Sequence, residues 1–400
     1  MSDFALWSWA AWAAVVAAAR LLRGKAYATF RAVSLALHVL VASALASRFD
    51  FVWPLFVYLH ASVFLNSLAL ARPRMRPLAY RVLVSVPSAF FAAGTLLAWP
   101  WAVAAAFGWF PPAAWAPYLL AAVGVIQSLT ARREEVDVVV ADGKAVPSLR
   151  RHEHGSLRVA RALRLVQITD PHLGPFMSVK RLRRIAARAV EQRPDLVFLT
   201  GDFLTMESQS DPDLLADALA PLTALDGRVF ACLGNHDHEA PLVVGRALRA
   251  CGVRLLVDDS TVIETSAGTV QVVGSDFAWR DRKEHLARLC VAHPRVGGAL
   301  RILLLHDPGA FRQLPEGEAD LVLSGHTHGG QVGLVSLGLP YTMLRVFMKA
   351  PDHGFWARGT DRLYVHRGTG HYGFPLRLGV PAEESVLSVH APVLGSPKPA

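Results

Sequence analysis

The chain has 400 residues, of which 52% are hydrophobic and only 18% are charged. This length exceeds one ordinary compact domain, and this apolarity excludes a wholly soluble protein. The net charge of +9 suits a membrane surface better than nucleic acid, because many basic residues lie at the ends of apolar runs. The three cysteines, Cys232, Cys251 and Cys290, form no CxxC pair. They predict buried thiols in a reducing compartment rather than a disulfide framework.

Residues 1–132 are predicted to form a helical transmembrane domain. The length of each of its apolar runs is close to the ~20 residues that a helix needs to cross the hydrocarbon layer of a bilayer. Five spans are expected, at residues 4–22, 27–46, 51–71, 82–108 and 112–131. His38 and His60 fall inside these spans, where a histidine has either a functional role or a packing role.

Basic residues alternate between the loops of this domain. The first and third connections carry four lysine or arginine residues each, and the fifth span ends at Arg132 and Arg133. The intervening loops are almost uncharged. Because basic loops stay on the cytoplasmic side, the N-terminus is predicted outside and everything after residue 132 inside.

The second half of the chain is predicted to be a layered α/β domain. Residues 133–162 are expected to form a linker and a lead-in strand, residues 163–391 the domain itself, and residues 392–400 a disordered tail. Short β-branched runs predict strands at 163–169, 195–200, 228–233, 270–273, 301–305, 320–323 and 362–365. Helical patterns lie at about 178–193, 212–224 and 240–251.

Polar clusters directly follow five of these strands. In chain order they are Asp170-Pro171-His172, Gly201-Asp202, Gly234-Asn235-His236-Asp237, His306-Asp307 and Gly325-His326-Thr327-His328-Gly329-Gly330. Sites in open α/β sheets form on the loops outside the strand ends, so these clusters are expected to converge. Aspartate, asparagine and histidine ligands without cysteine suit two Mn, Fe or Zn ions. Each cluster alone is a weak signal, but the ordered series predicts a dinuclear metal site for phosphate esters.

The series DxH, GD, GNHD, H and GHxH resembles the calcineurin-like metallophosphoesterase superfamily over residues 163–391. The resemblance implies a two-sheet β-sandwich flanked by helices, with two divalent metal ions at the strand ends. It implies that one metal is held by Asp170, His172 and His328, that the other is held by Asn235, His306 and His326, and that Asp202 bridges them.

The same resemblance implies a mechanism. A metal-activated water attacks phosphorus, His236 contacts the phosphate and protonates the leaving oxygen, and Asp237 orients His236. The resemblance gives no role to His238, which lies in the same loop.

Further motifs narrow the resemblance. Gly201-Asp202 is not followed by the DRG of protein Ser/Thr phosphatases. GHTHGGQ at 325–331 and RGTGHYGFPLRLGVP at 367–381 resemble the membrane-associated bacterial phosphodiesterases, a group that includes UDP-2,3-diacylglucosamine pyrophosphatases of lipid A biosynthesis. The usual Pro-Pro-Glu is Pro-Ala-Glu here, ending at Glu383. The resemblance therefore implies a hydrolase of the bacterial inner membrane that cleaves a phosphodiester or pyrophosphate bond of a lipid or lipid-linked nucleotide.

Two other functions stay open from the sequence. One is an anchored phosphodiesterase or nuclease that acts on a soluble substrate, and the other is a non-catalytic membrane sensor or scaffold. The apolar segment 335–350, which includes Arg345 and Lys349, is either a membrane-dipping lip beside the site or a covered part of the core.

Overall fold

The computed structural model describes residues 2–140, 145–152, 158–159, 161–348, 350–371, 373, 375–392 and 394. The chain divides into two compact units. The first unit extends to Leu129 and also takes in Met206–Ser210 and Gly373–Leu378, and the second unit holds the remainder. The tail predicted at 392–400 lies outside the described residues, apart from residues 392 and 394.

The first unit is helical. Its α-helices are α1 Ser2–Leu22, α2 Lys25–Leu45, α3 Trp53–Ala69, α4 Leu78–Tyr80, α5 Val86–Leu97, α6 Trp99–Ala106 and α7 Ala116–Ser128. A 3-10 helix, Ala46–Val52, joins α2 to α3, and a π-helical turn, Arg81–Ser85, joins α4 to α5. A proline stands in the first turn of α3, α5, α6 and α7, where its missing N–H has no helical partner to lose.

Three helical stretches of the described chain are long and apolar enough to cross a membrane. They are Asp3–Leu22, Lys25–Ala69 and Leu78–Leu97. The second predicted span and all but the last two residues of the third fall within Lys25–Ala69. This stretch bends at Phe49, where the backbone leaves helical geometry. The fourth predicted span ends early because a new helix starts after Ala98. The fifth coincides with α7, whose 13 residues are short for a crossing.

The two histidines of the predicted spans lie against each other inside the first unit. His38 Nε2 and His60 Nδ1 are 3.1 Å apart, and Ser8 Oγ lies 2.9 Å from His60 Nε2. All three side chains are buried. They therefore connect α1, α2 and α3 through a chain of polar contacts within an apolar bundle.

The second unit is the α/β part of the chain. Its strands are β1 Ala131–Val139, β2 Val146–Arg151, β3 Leu163–Ile168, β4 Leu196–Leu199, β5 Val229–Ala231, β6 Arg254–Leu255, β7 Asp259–Glu264, β8 Thr269–Gly274, β9 Leu300–Leu304, β10 Leu321–Ser324, β11 Gly354–Gly359, β12 Asp361–Val365 and β13 Ala382–His390. Its α-helices are α8 Val179–Glu191, α9 Leu214–Leu219, α10 Pro241–Ala250, α11 Arg282–Ala292 and α12 Met343–Phe347.

These strands form two mixed sheets, which confirms the predicted architecture. The first sheet has the order β1-β13-β3-β4-β5-β6, and the second has the order β2-β11-β12-β10-β9-β8-β7. One face of each sheet contributes to a shared core that includes Leu165, Phe198, Ile302 and Leu323. Strands β3, β4 and β5 are parallel in the first sheet, as are β8, β9, β10 and β12 in the second. Their carboxyl ends therefore lie at common edges.

Helix α8 shows how the local sequence places a helix on the first sheet. Ser178 caps its start by accepting a hydrogen bond from the Arg181 N–H, as expected of an N-cap serine. Leu182, Ile185, Ala186 and Ala189 recur at helical spacing, are buried, and pack in one core cluster with β3 and β4. The apolar face of α8 thus covers the outer side of that sheet.

Candidate metal centre

Five strand ends of the second unit bring the predicted polar clusters together. Asp170 and His172 follow β3, Asp202 follows β4, and Asn235 and His236 follow β5, whereas His306 follows β9 and His326 and His328 follow β10. Hydrogen bonds join the ends of the two sheets, since Gln167 Nε2 donates to the Ser324 carbonyl at 3.1 Å. Residues up to 158 positions apart in the sequence thereby become neighbours.

Six of the predicted ligands form two groups that can each hold a metal ion. The first group contains Asp170, His172 and His328, and the second contains Asp202, His306 and His326. Within each group, one candidate ligand atom of every residue lies within 4.8 Å of the others. Only His326 is more than slightly exposed, so the candidate ligands are held away from bulk water.

The backbone at this site is strained. Asp170, His172, Asp202, His326 and His328 all have positive φ, between 44° and 66°. Non-glycine residues rarely adopt this left-handed region, and each instance costs of the order of 1 kcal/mol or more. Five such residues in one cluster indicate that the surrounding fold holds these side chains in place for a functional purpose.

The Asp202 carboxylate belongs to the second group and also lies close to the first. Its Oδ2 atom is 3.7 Å from His172 Nε2 in the first group and 3.2 Å from His306 Nε2 in the second. Its Oδ1 atom accepts the His236 N–H at 2.9 Å. Burial alone would raise the pKa of Asp202, but His306 and His172 together lower it below the usual range. The carboxylate is therefore charged at neutral pH.

The imidazoles are oriented by their own contacts. His306 Nδ1 lies 2.6 Å from the Thr200 carbonyl oxygen, which assigns the proton to Nδ1 and turns Nε2 towards Asp202. Burial lowers the pKa of His172 to about 3 and that of His326 to about 4, so both rings are neutral, as a metal ligand must be. For His306, burial is outweighed by Asp202, which raises its pKa to about 10. An arriving cation therefore competes with a proton there.

These side chains fit a pair of divalent ions of the Mn, Fe or Zn class. Nitrogen and carboxylate oxygen donors without thiolates suit those metals. Asn235 Oδ1 is buried and has no hydrogen-bond partner among the described residues. Burying a polar oxygen without a hydrogen-bond partner is unfavourable in free energy, and a bond to a metal ion would remove this penalty. Asn235 thus fits as an additional oxygen ligand.

Two glycines allow the loops to approach this closely. Gly201 has a φ of 91°, and a Cβ there would lie 2.4 Å from the Gly234 nitrogen. A Cβ at Gly325 would lie 2.1 Å from Asp170 Oδ2 and 2.3 Å from Thr169 Oγ1. Neither position has room for a larger residue, which is the physical reason for glycine before Asp202 and before His326.

The structure gives Asp237 a different role from the one expected. It was predicted to orient His236, but its buried carboxylate accepts hydrogen bonds from the N–H groups of Asp202, Gly234 and Phe203, at 2.7–2.9 Å. Burial and the nearby Asp202 raise the pKa of Asp237 to about 7. The three hydrogen bonds favour the charged form and act in the opposite direction. Asp237 therefore holds the loops after β4 and β5 together.

Glu239 takes the contact with His236 that was predicted for Asp237. His236 Nδ1 lies 3.0 Å from Glu239 Oε1. Burial alone would lower the pKa of His236, but Glu239 and Asp202 raise it above its ordinary value. The His236 ring is 5.6 Å from the His172 ring, between centroids, so it borders the first metal group. The contact between Glu239 and His236 could have been predicted from the sequence, because Glu239 comes three residues after His236 on a short helical turn. Residues three apart on a helix are neighbours.

His238 and the segment 335–350 also have observed positions. His238 Nε2 pairs with Asp276 Oδ1 at 3.0 Å, which ties the loop after β5 to the segment after β8. The apolar side chains of the described part of 335–350 are largely exposed. Of the two alternatives left open for this segment, the covered part of the core is therefore wrong.

Comparison with known proteins identifies the family of the domain that carries these clusters. The family model of the calcineurin-like phosphoesterase matches residues 163–330, a range that contains all five polar clusters. Phosphodiesterase YaeI of Escherichia coli (strain K12) is 30% identical over 236 residues, which cover 58% of this chain and 83% of that protein. An uncharacterized metallophosphoesterase of Aquifex aeolicus (strain VF5) is 30% identical over 232 residues, which cover 57% of this chain and 85% of the other.

One relative combines the two halves seen here. A transmembrane protein with metallophosphoesterase domain of Danio rerio is 31% identical over 239 residues. The match covers 55% of this chain and 52% of that protein, so this chain spans about half the length of that relative.

Proposed function

This chain belongs to the calcineurin-like phosphoesterase family, and we propose that it hydrolyses a phosphodiester or pyrophosphate bond of a lipid or lipid-linked nucleotide. Its activity as a metal-dependent phosphoesterase follows from the family. The observation that carries the finer proposal is that one chain contains both the two candidate metal groups and three helices able to cross a membrane.

We assign the ligands as follows. Asp170, His172 and His328 would hold one divalent ion, and Asn235, His306 and His326 the other. Asp202 would bridge them, because its carboxylate lies within 3.7 Å of a histidine of each group. Bound there, the two ions would lower the pKa of a water molecule and neutralise charge on the phosphate oxygens.

The remaining chemistry belongs to the side chains of the second unit. His236 is proposed to contact the phosphate and to protonate the leaving oxygen through Nε2, since Nδ1 is engaged by Glu239. Its raised pKa favours the protonated form that an acid needs. Asp237 has no direct part in this step, because it holds the backbone on which Asp202 and His236 stand.

Three features support a lipid substrate. The candidate spans hold the enzyme at a membrane, where a headgroup phosphate is available without leaving the surface. The alternating basic loops favour a chain that crosses the bacterial inner membrane several times, with the second unit in the cytoplasm. The motifs at 325–331 and 367–381 resemble the membrane-associated bacterial phosphodiesterases, a group that includes UDP-2,3-diacylglucosamine pyrophosphatases of lipid A biosynthesis.

A soluble phosphodiester is the second candidate. It is favoured by the similarity to a relative named phosphodiesterase. A nuclease activity belongs to the same alternative, because nothing in the metal groups distinguishes one phosphodiester from another.

The test uses the full chain purified in detergent with Mn²⁺. Wild type, Asp202→Asn, His236→Ala and a control, His293→Ala, are assayed on bis-p-nitrophenyl phosphate, UDP-2,3-diacylglucosamine and single-stranded DNA. We expect metal-dependent turnover of the lipid nucleotide. Asp202→Asn should lower activity by more than the roughly 10–100-fold that is typical when a residue supporting a metal ligand is changed. His236→Ala should lower activity by about 10²–10⁴-fold. His293 contacts Ser260 and Asp258 instead, so its variant should keep activity.

The outcomes separate the candidates. Cleavage of DNA or the small diester without turnover of UDP-2,3-diacylglucosamine would refute the lipid proposal and support the soluble one. Full activity of Asp202→Asn would refute the ligand assignment. The orientation is tested by a reporter enzyme fused after residue 400: activity of a reporter that works only in the periplasm would show that the second unit lies outside.

A further inference from the structure

An apolar surface of the second unit lies on the segment that follows the GHTHGG loop. We define residues 334–348 as the apolar flap. Fourteen large hydrophobic side chains are exposed in the described part of the second unit, and eight of them belong to this flap. These eight are Leu334, Leu337, Leu339, Tyr341, Met343, Val346, Phe347 and Met348. A cluster of exposed hydrophobic side chains marks an interaction surface, whereas isolated exposed hydrophobic residues do not.

The flap is firmly held, so its exposure is not that of a loose loop. The Leu334 N–H donates to the Tyr341 carbonyl and the Met343 N–H to the Val332 carbonyl, both at 2.8 Å. Thr342 caps α12, and its hydroxyl donates to the buried Asp352 carboxylate at 2.7 Å. The backbone is thus anchored while the apolar side chains point outward.

The charge of the flap suits a lipid surface. It contains no aspartate or glutamate, and its charged residue is Arg345. The Arg345 guanidinium lies 6.0 Å from the centre of the Tyr341 ring. A tyrosine and an arginine beside exposed aliphatic side chains is the composition of segments that sit at the boundary of headgroups and acyl chains. An acidic headgroup would meet no repulsion there.

The flap is also hydrogen-bonded to the residue that follows the segment Gly373–Leu378 of the first unit. The Ser336 N–H donates to the Gly379 carbonyl at 2.8 Å, and Val332 forms a β-bridge with Gly379. Gly379 directly follows Leu378 in the chain. Leu378 packs against the cluster of Ala93, Ala121 and Leu376 in the first unit. The flap is thus hydrogen-bonded to the direct chain neighbour of Leu378.

The flap packs directly on the loop that carries two candidate ligands. A Cβ at Gly330, two residues after His328, would lie 2.8 Å from the Leu344 Cβ. We propose that the apolar flap docks into the headgroup layer of an anionic bilayer and so presents the metal centre to phosphates at the membrane surface. The choice of a lipid substrate rests on the proposed function, but the docking itself does not.

Docking is tested on the full chain in nanodiscs of phosphatidylethanolamine and phosphatidylglycerol, with and without a lipid-borne nitroxide quencher. A bimane fluorophore is attached at Phe347→Cys in the flap or at Val291→Cys as a control. Phe347 and Val291 are 75% and 82% exposed, and all three native cysteines are buried. We expect the nitroxide to quench the flap label several-fold more than the control label.

Equal, weak quenching at both positions would overturn the proposal. A flap label that is protected from aqueous iodide, escapes the lipid quencher and depends on protein concentration would overturn it as well, since a second copy of the chain would then cover the flap.

A second measurement links docking to catalysis. Val346→Asp with Phe347→Asp should lower the ratio of lipid turnover to bis-p-nitrophenyl phosphate turnover by about tenfold, because added carboxylates oppose insertion into an anionic surface. Val291→Asp should leave this ratio unchanged. An equal loss on both substrates would show that the flap only supports the metal site. Absence of lipid turnover in wild type would refute the proposed function, while the quenching result would still decide whether the flap docks.

Discussion

Glu383 provides the sharpest test of the second unit's stability. It stands at the start of β13, 1% exposed, in the Pro-Ala-Glu that departs from the usual Pro-Pro-Glu. Its Oε1 atom accepts the Tyr364 hydroxyl, and its Oε2 atom accepts the Arg367 N–H at 3.2 Å and lies 3.3 Å from Arg367 Nε. The loop it anchors reaches the metal centre, since the Gly370 N–H donates to the Asp170 carbonyl.

The pKa of Glu383 gives the magnitude. Burial alone would raise this pKa, but His366, Arg367 and the Tyr364 hydroxyl lower it from 4.5 to about 2. At about 1.4 kcal/mol for each tenfold change in acidity, the charged carboxylate contributes roughly 3 kcal/mol to folding. Because the folded-state pKa is the lower one, this contribution is complete above pH ~4.5. It is lost as the pH falls towards 2.

The assay is thermal unfolding of the full chain in detergent. Glu383→Gln should lower the melting temperature of the second unit by about 6–10 °C at pH 7, and the gap to wild type should narrow below pH ~4.5. Glu384→Gln is the matched control, because Glu384 pairs with Arg188 near the surface, where both side chains are partly exposed, and such pairs contribute about 0–1 kcal/mol. A Glu383→Gln shift no larger than that of the control would refute the reasoning.

Three further predictions concern the site and the core. Gly325→Ala should abolish stoichiometric Mn²⁺ binding, measured by metal analysis after gel filtration, because its Cβ would meet Asp170; Gly297→Ala, where nothing lies within 4 Å, should bind normally. Asp237→Asn should lower stability by roughly 1–3 kcal/mol in thermal unfolding, since a buried N–H loses its acceptor; unchanged stability with reduced activity would instead support an orienting role. The three cysteines should not react with Ellman's reagent at pH 8 until the chain unfolds, because burial raises the pKa of each; rapid reaction in the native state would contradict their burial.

The candidate site was largely predictable because its signals are local. Each polar cluster follows a β-branched run directly, and each such run is a strand. Glycine at 201 and 325 marks backbone that approaches a neighbouring loop, and this requirement is visible in the sequence as glycine beside aspartate or histidine. The two-sheet architecture followed from the resemblance that these motifs carry.

Long-range pairings and side-chain geometry were not predictable in this way. The sequence offers no local sign that β1 pairs with β13, or that Asp237 binds three backbone N–H groups while Glu239 contacts His236. The exposure of segment 335–350 could not be predicted, because an apolar composition fits both a buried core segment and an exposed surface. The count of spans differed because kinks and short helices such as α7 depend on packing within the bundle.

The position of β13 sets the order in which the first sheet can be completed during synthesis. β13 lies between β1 and β3, and its first residue pairs with a residue 251 positions earlier, Ala382 with Ala131. At roughly 5–20 residues per second, the ribosome needs of the order of 10–50 s to make the chain between these strands. Until then β1 presents an open edge, as does β3 once it has been made, in a chain whose apolar helices have already been made. Arrest of translation before residue 382 therefore leaves the first sheet without its strand between β1 and β3, in a chain that already carries its candidate membrane helices.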